Sequence, residues 1–129
     1  MKKNIIIIAL IFILPMIAYA IMSESNTVSA AKHVDGQPQV IKFSSKLCLD
    51  CKKIKSCFDN LVPKYNDNIT FIEYDVQQNT PEINDAINKY GISLVPTVIY
   101  IDKSGKEVRR TEGFVEKNIL EDYFKELMQ

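Results

Sequence analysis

The sequence predicts an α/β domain, a four-stranded mixed sheet in the order β-α-β-α-β-β-α with helices on both faces. Three observations lead there. Strand-type and helix-type segments alternate through residues 39–127, which is the pattern of a layered sheet rather than a bundle or a sandwich. A helix separates the first two strands, so they form a right-handed parallel unit. The turn signal "DKSG" at 102–105 joins the last two strands as an antiparallel hairpin.

The elements follow in order. "QVIKFSS", 39–45, mixes β-branched and aromatic residues and predicts a strand. From Cys48 the spacing turns helical: Ile54, Phe58, Leu61 and Val62 form one apolar stripe, and Pro63 is expected to end the helix. "ITFIEYDV", 69–76, is a second strand. Thr80 and Pro81 supply an N-cap and a first-turn proline to a helix over 81–90, and Gly91 supplies its stop. "VPTVIYI", 95–101, and "KEVRRTE", 106–112, are the third and fourth strands. "EKNILEDYFKEL" closes the chain as an amphipathic helix with Ile119, Leu120, Tyr123, Phe124 and Leu127 on its inner face. There are no internal repeats.

Ahead of this domain, residues 1–22 read as a signal peptide or an N-terminal membrane anchor. Lys2 and Lys3 precede an apolar run from Ile5. Pro15, followed by Ala18-Tyr19-Ala20, favours cleavage, and Val28-Ser29-Ala30 is a second candidate site. Against this, Ile5 to Met22 is 18 residues without a charge, just long enough to cross a hydrocarbon core of about 30 Å. Either reading places the remainder outside the cytoplasm, with the membrane as a partner of residues 5–22 only if the segment stays attached. Residues 23–38 are small and polar and read as a linker.

Charge excludes one function class. Sixteen basic and sixteen acidic side chains balance to a formal net charge of zero, and removing residues 1–20 takes away only Lys2 and Lys3. Nothing here fits a nucleic-acid partner. The carboxylates Glu73, Asp75, Asp102 and Glu107 show no pairing of the acid–base type, and solvated faces and turns account for them.

The chemistry concentrates in "FSSKLCLDCKKIKSC", residues 43–57, which holds all three cysteines. An odd count excludes a fully paired disulfide scaffold. Cys48 falls where a strand ends and a helix begins, and free N–H groups and the helix dipole there favour a thiolate. Its pKa is therefore expected to be depressed, with Lys46, Lys52 and Lys53 adding to the effect and Asp50 opposing it. Cys51, one turn further, is the natural resolving partner in thiol–disulfide exchange. Cys57 lies six residues beyond Cys51, a rise of about 9 Å and a rotation of about 240° on a continuous helix. That is out of disulfide reach, and its spacing places it on the apolar stripe as a small buried hydrophobe, the alternatives being an intermolecular disulfide or a third metal ligand. His33, the single histidine, reads as a solvated linker residue.

Taken together, the strand "VIKF", the "CLDC" helix start, the "VPT" segment at 95–97, the "DKSG" hairpin and the last helix resemble the thioredoxin family over about residues 39–129. The resemblance implies a thioredoxin-like fold, a redox-active disulfide between Cys48 and Cys51, and no cofactor. It further implies that Cys48 is the nucleophile, that Cys51 resolves, and that Val95 and a cis Pro96 face the dithiol as the substrate platform. Asp50 and Lys52 would tune the pair. Departures accompany it: Leu47 replaces the family's tryptophan, Leu49-Asp50 its Gly-Pro, Lys42 its buried acid, and Ser56 its helix-kinking proline. The first β-α unit of a full-length member is absent or reduced ahead of Gln39.

Two functions stay open at this point. One is an extracytoplasmic thiol–disulfide oxidoreductase acting on exported proteins with disulfides, with a thiol electron donor or acceptor as second partner. The other is a thioredoxin-fold binding module, either a copper or zinc carrier using Cys48, Cys51 and His33 or a substrate holder without turnover.

Overall fold

Strand β1, Gln39–Ser44, lies at the centre, paired in parallel with β2, Thr70–Asp75, and antiparallel with β3, Thr97–Ile101. β4, Glu107–Glu112, completes the order β2-β1-β3-β4. Helices α1 (Leu49–Tyr65), α2 (Pro81–Tyr90) and α3 (Lys117–Leu127) cover the sheet. The structure is a computed structural model and describes residues 36–129 together with Lys3, Ile7, Ile11 and Ile13. The expected signal peptide or anchor otherwise lies outside the described residues, as do His33 and most of the 23–38 linker. Among the described residues no helix is long and apolar enough to cross a membrane.

Every residue of β1 is buried, because helices pack on both of its faces. Val40 points into a core shared with Ile54, Phe58 and Leu61 of α1 and Leu120 and Phe124 of α3. Ile41 and Phe43 point the other way, against Ile83 and Ala86 of α2. The period of two along the strand thus splits one short segment between two cores. The first core is aromatic. Phe124 meets Phe58, Tyr65 and Phe71 in edge-to-face contacts with centroids 5.2–5.8 Å apart, the geometry that the ring quadrupoles favour.

Local chemistry sets the ends of the elements. Thr80 accepts a hydrogen bond from the Ile83 N–H at 3.3 Å, Pro81 opens α2, and Gly91 closes it with φ of 61°; only a residue without a Cβ adopts that conformation freely. In the β3–β4 turn the Asp102 carboxylate accepts from the N–H of Ser104 at 2.9 Å and of Lys106 at 3.1 Å. These bonds hold its carboxyl below the usual carboxylate range, the Ser104 hydroxyl contributing most. β4 is a charged, largely exposed edge strand, a composition that discourages pairing with another chain.

Three expectations are corrected. Pro63 does not end α1, which runs on to Tyr65. The ring removes one N–H, but Asn66 still donates to the Val62 carbonyl at 2.9 Å and Ile69 to that of Tyr65, so the last turn closes around the gap. Ile119 is exposed rather than inward, since the buried face of α3 runs through Leu120, Phe124 and Leu127. Cys57 is half-buried at the rim of the α1 core rather than inside it. It lies beside the line of Cys51, Ile54, Phe58 and Leu61, which takes up the buried face.

Candidate active site

Topology assembles the site at one edge of the sheet. β1 ends at Ser44, and a short loop delivers Cys48 to the N-terminus of α1. β3 runs antiparallel to β1, so its beginning lies beside that end: Phe43 pairs with Thr97, which brings Val95 and Pro96 next to the loop. The Val95–Pro96 peptide bond is cis. Pro96 has no N–H for the ladder, so β3 starts at Thr97 rather than at Val95 as expected. The Pro96 carbonyl accepts from the Gly113 N–H at 2.8 Å, and the Thr97 hydroxyl donates to the Leu94 carbonyl at 2.8 Å.

Cys48 is the N-cap of α1. Its sulfur accepts a hydrogen bond from the Cys51 N–H at 3.1 Å, and its thiol donates to the Val95 carbonyl at 3.7 Å. A helix normally places a Ser, Thr, Asp or Asn oxygen at this position to satisfy its first N–H groups. Here the Cys48 sulfur takes that place, accepting from the Cys51 N–H. All three cysteines are free, Cys48 partly exposed and Cys51 only 3% exposed. Burial pushes the Cys51 thiol from 9.0 up to about 11, with its contact to Cys48 adding to the rise. The two sulfurs therefore differ in kind: one is presented to solvent, the other is held back as a protonated thiol.

Of the residues expected to tune the pair, Asp50 is ion-paired with Lys53 at 3.2 Å on the exposed side of the first turn. Lys52 borders a cavity of about 480 Å³ that Cys51 also lines. Lys42, seen in the sequence only as a departure, is 2% exposed, ion-paired with Glu73 at 3.1 Å, and one of the charges that draw the Cys51 thiol downward. Glu73 is solvated as expected, with 51% of its side chain exposed, and is also ion-paired to Lys42. The signal was present in two strands: a lysine inside the otherwise buried "VIKF" and a glutamate at the matching parallel register.

Around Cys48 the surface is apolar. Leu47 and Leu49 flank it with 82% and 73% of their surface exposed, and Leu94 and Phe114 are exposed beside Val95 and Gly113. Lys53 sits over the Phe114 ring at 5.8 Å. Among the described residues no group of three His, Cys, Asp or Glu side chains is arranged to hold a metal ion.

A sheet of this order with a C-x-x-C pair capping the first helix and a cis proline against it defines the class of thioredoxin-like thiol–disulfide oxidoreductases. The thioredoxin family model matches residues 21–126, and this chain belongs to that family. It is 30% identical over 92 residues to a thioredoxin of Borreliella burgdorferi, covering 68% of this chain and 74% of the relative. It is 25% identical over 115 residues to the thiol-disulfide oxidoreductase ResA of Bacillus thuringiensis, covering 74% of this chain and 66% of the relative. In fold it is similar to a solved structure of thioredoxin-2, a component of malaria parasite protein secretion machinery. That match has a TM-score of 0.62 at 24% identity and covers 70% of this chain and 82% of that one. The chain is accordingly a thiol–disulfide oxidoreductase.

Proposed function

We propose that this protein works outside the cytoplasm and reduces or exchanges disulfides in exported proteins, with a thiol partner returning the dithiol to its starting state. Cys48 attacks one sulfur of the substrate disulfide, and the other substrate sulfur leaves as a thiol. Cys51 then attacks Cys48 in the mixed disulfide, releasing the second substrate thiol and leaving Cys48 and Cys51 joined. The observation that carries the reading is the placement of Cys48 at the α1 N-terminus, its sulfur against the Val95 carbonyl. Val95 and Pro96 would dock the substrate backbone, and Leu47, Leu49, Leu94 and Phe114 offer an apolar surface to an extended, unfolded segment. Asp50 and Lys52 are the exposed charges that would adjust the potential. The basic start and apolar run of residues 1–22 support export.

Trapping tests the chemistry. Cys51→Ser should accumulate a mixed disulfide with a disulfide-bearing protein, and Cys48→Ser should not; the absence of an adduct from both variants would remove the dithiol mechanism. A C-terminal reporter that matures only after export tests the location. Its inactivity in an exporting bacterial host would place the domain inside the cell instead.

A further inference from the structure

The sheet order leaves two outer edges, β4 and β2, and they are not alike. β4 carries charges of both signs, Glu107, Arg109, Arg110 and Glu112. β2 reads TFIEYD, with Phe71, Ile72 and Tyr74 to favour a strand and no lysine, proline or glycine to blunt it. Thr70 donates its N–H to the Pro38 carbonyl, at the β1 side. Ile72 and Tyr74 follow it with the period of two, so the N–H groups of Phe71, Glu73 and Asp75 turn outward. Among the described residues nothing accepts from those three donors.

Beside this edge, on the side of α1, lies a cleft of about 350 Å³. Phe58, Val62, Pro63 and Phe71 form its apolar part, and the carboxylates of Asp59 and Glu73 also line it. Glu73 binds Lys42 and the Ser44 hydroxyl through Oε1 alone, at 3.1 and 3.0 Å, so its second oxygen stays open among the described residues. A strand added to a sheet edge draws affinity from main-chain bonds and specificity from pockets that receive every second side chain. β2 offers both. The cleft suits an aliphatic side chain, and Glu73 and Asp59 suit a cation two positions along on the same face. A second copy of this chain fits less well, because two β2 edges would set these carboxylates against their own kind.

We infer that the outer edge of β2 docks an extended segment of another polypeptide, which adds to the sheet as a fifth strand. Its backbone accepts from Phe71, Glu73 and Asp75. On the face toward α1 it alternates a β-branched apolar residue, seated in the cleft, with a lysine or arginine at Glu73 and Asp59. The docked strand would run toward the dithiol loop, since Lys46 of that loop lies 3.8 Å from Asp75 and donates its N–H to the Gln77 side chain. The inference does not depend on the redox chemistry of Cys48 and Cys51.

The test reads amide hydrogen exchange, residue by residue, in the reduced full chain labelled with nitrogen-15. The probe is a capped peptide of Thr-Val-Thr-Lys repeated twice, which puts valine and lysine on one face of a strand. One control has glutamate for lysine, and another is N-methylated throughout, keeping side chains and charge but unable to pair. At about ten times its Kd the probe should slow exchange at Phe71, Glu73 and Asp75 about tenfold, leaving the β4 edge unchanged. Both controls should leave the three amides as they were. Asp59→Lys, a change on the exposed side of α1, should weaken binding about fivefold. Equal protection by the N-methylated peptide overturns the inference, because charge alone would then account for binding. No protection by the probe at millimolar concentration overturns it too. So does slow exchange of these amides in the chain alone, which gives the edge to a second copy if it grows with protein concentration and to this chain's own preceding residues if it does not.

Discussion

The backbone N–H of Cys51 donates to the sulfur of Cys48 at 3.1 Å, so one cysteine helps to create the electrostatic setting of the other. The same helix start that turns Cys48 toward solvent draws Cys51 beneath the surface. That asymmetry is what an attacking thiol and a resolving thiol require, and it orders their reactivity.

Limited labelling of the reduced protein with iodoacetamide should modify Cys48 first and Cys51 last. Cys51 is 3% exposed and its thiol is pushed up to about 11, so it lacks both access and thiolate at neutral pH. Cys57, half-buried, should label between them. Mass spectrometry of peptides from a time course reads the order, and early loss of Cys51 would contradict the burial described here.

Stability of the reduced protein should fall at high pH. The Cys51 thiol is raised above its unfolded value of 9.0 by burial, so the folded state keeps a proton that the unfolded chain gives up. Its contribution is complete below pH 9.0 and is lost as the pH rises toward about 11. Urea midpoints measured on the reduced protein from pH 8 to pH 11, compared with Cys51→Ala, should isolate the effect; equal slopes for the two proteins would count against it.

Phe124→Ala should destabilise the fold by about 3–5 kcal/mol, the usual range for removing a buried aromatic ring. The side chain is fully buried and meets four other rings. Urea unfolding measures the loss. Reaction of Cys48 with an aromatic disulfide reagent should be retained where the variant is still folded, because α1 is capped by its own residues.

Thr80→Ala removes the oxygen that accepts the Ile83 N–H at the start of α2 and should lower stability by about 1 kcal/mol. Thr80→Ser should recover most of it. A loss of several kcal/mol would mean that Thr80 does more than cap.

Much of this molecule was legible along the chain because the signals are local. Thr80, Pro81 and Gly91 bracket α2 at the expected residues, and Asp102 to Gly105 make the hairpin turn. Cys48 and Cys51 could be placed at a helix start from spacing and flanking residues. Pro63 misled because a proline near the end of a helix removes one bond and leaves the following turn free to close. Cys57 and Ile119 misled because an apolar stripe read from spacing is wider than the face a neighbouring layer covers.

Capping, turn chemistry and hydrophobic period act over a few residues, so the elements, their order and the two sulfurs of the dithiol are written into the chain locally. What those sulfurs face depends instead on long-range strand pairing. Antiparallel pairing of β1 with β3 brings Val95 and Pro96 to Cys48 across 47 positions of chain. Parallel register of β1 with β2 sets Lys42 opposite Glu73, and the pair buries the lysine against the Phe58 ring of α1. Neither contact has a local signature, because each arises from the pairing of distant strands whose partners no short stretch of chain specifies.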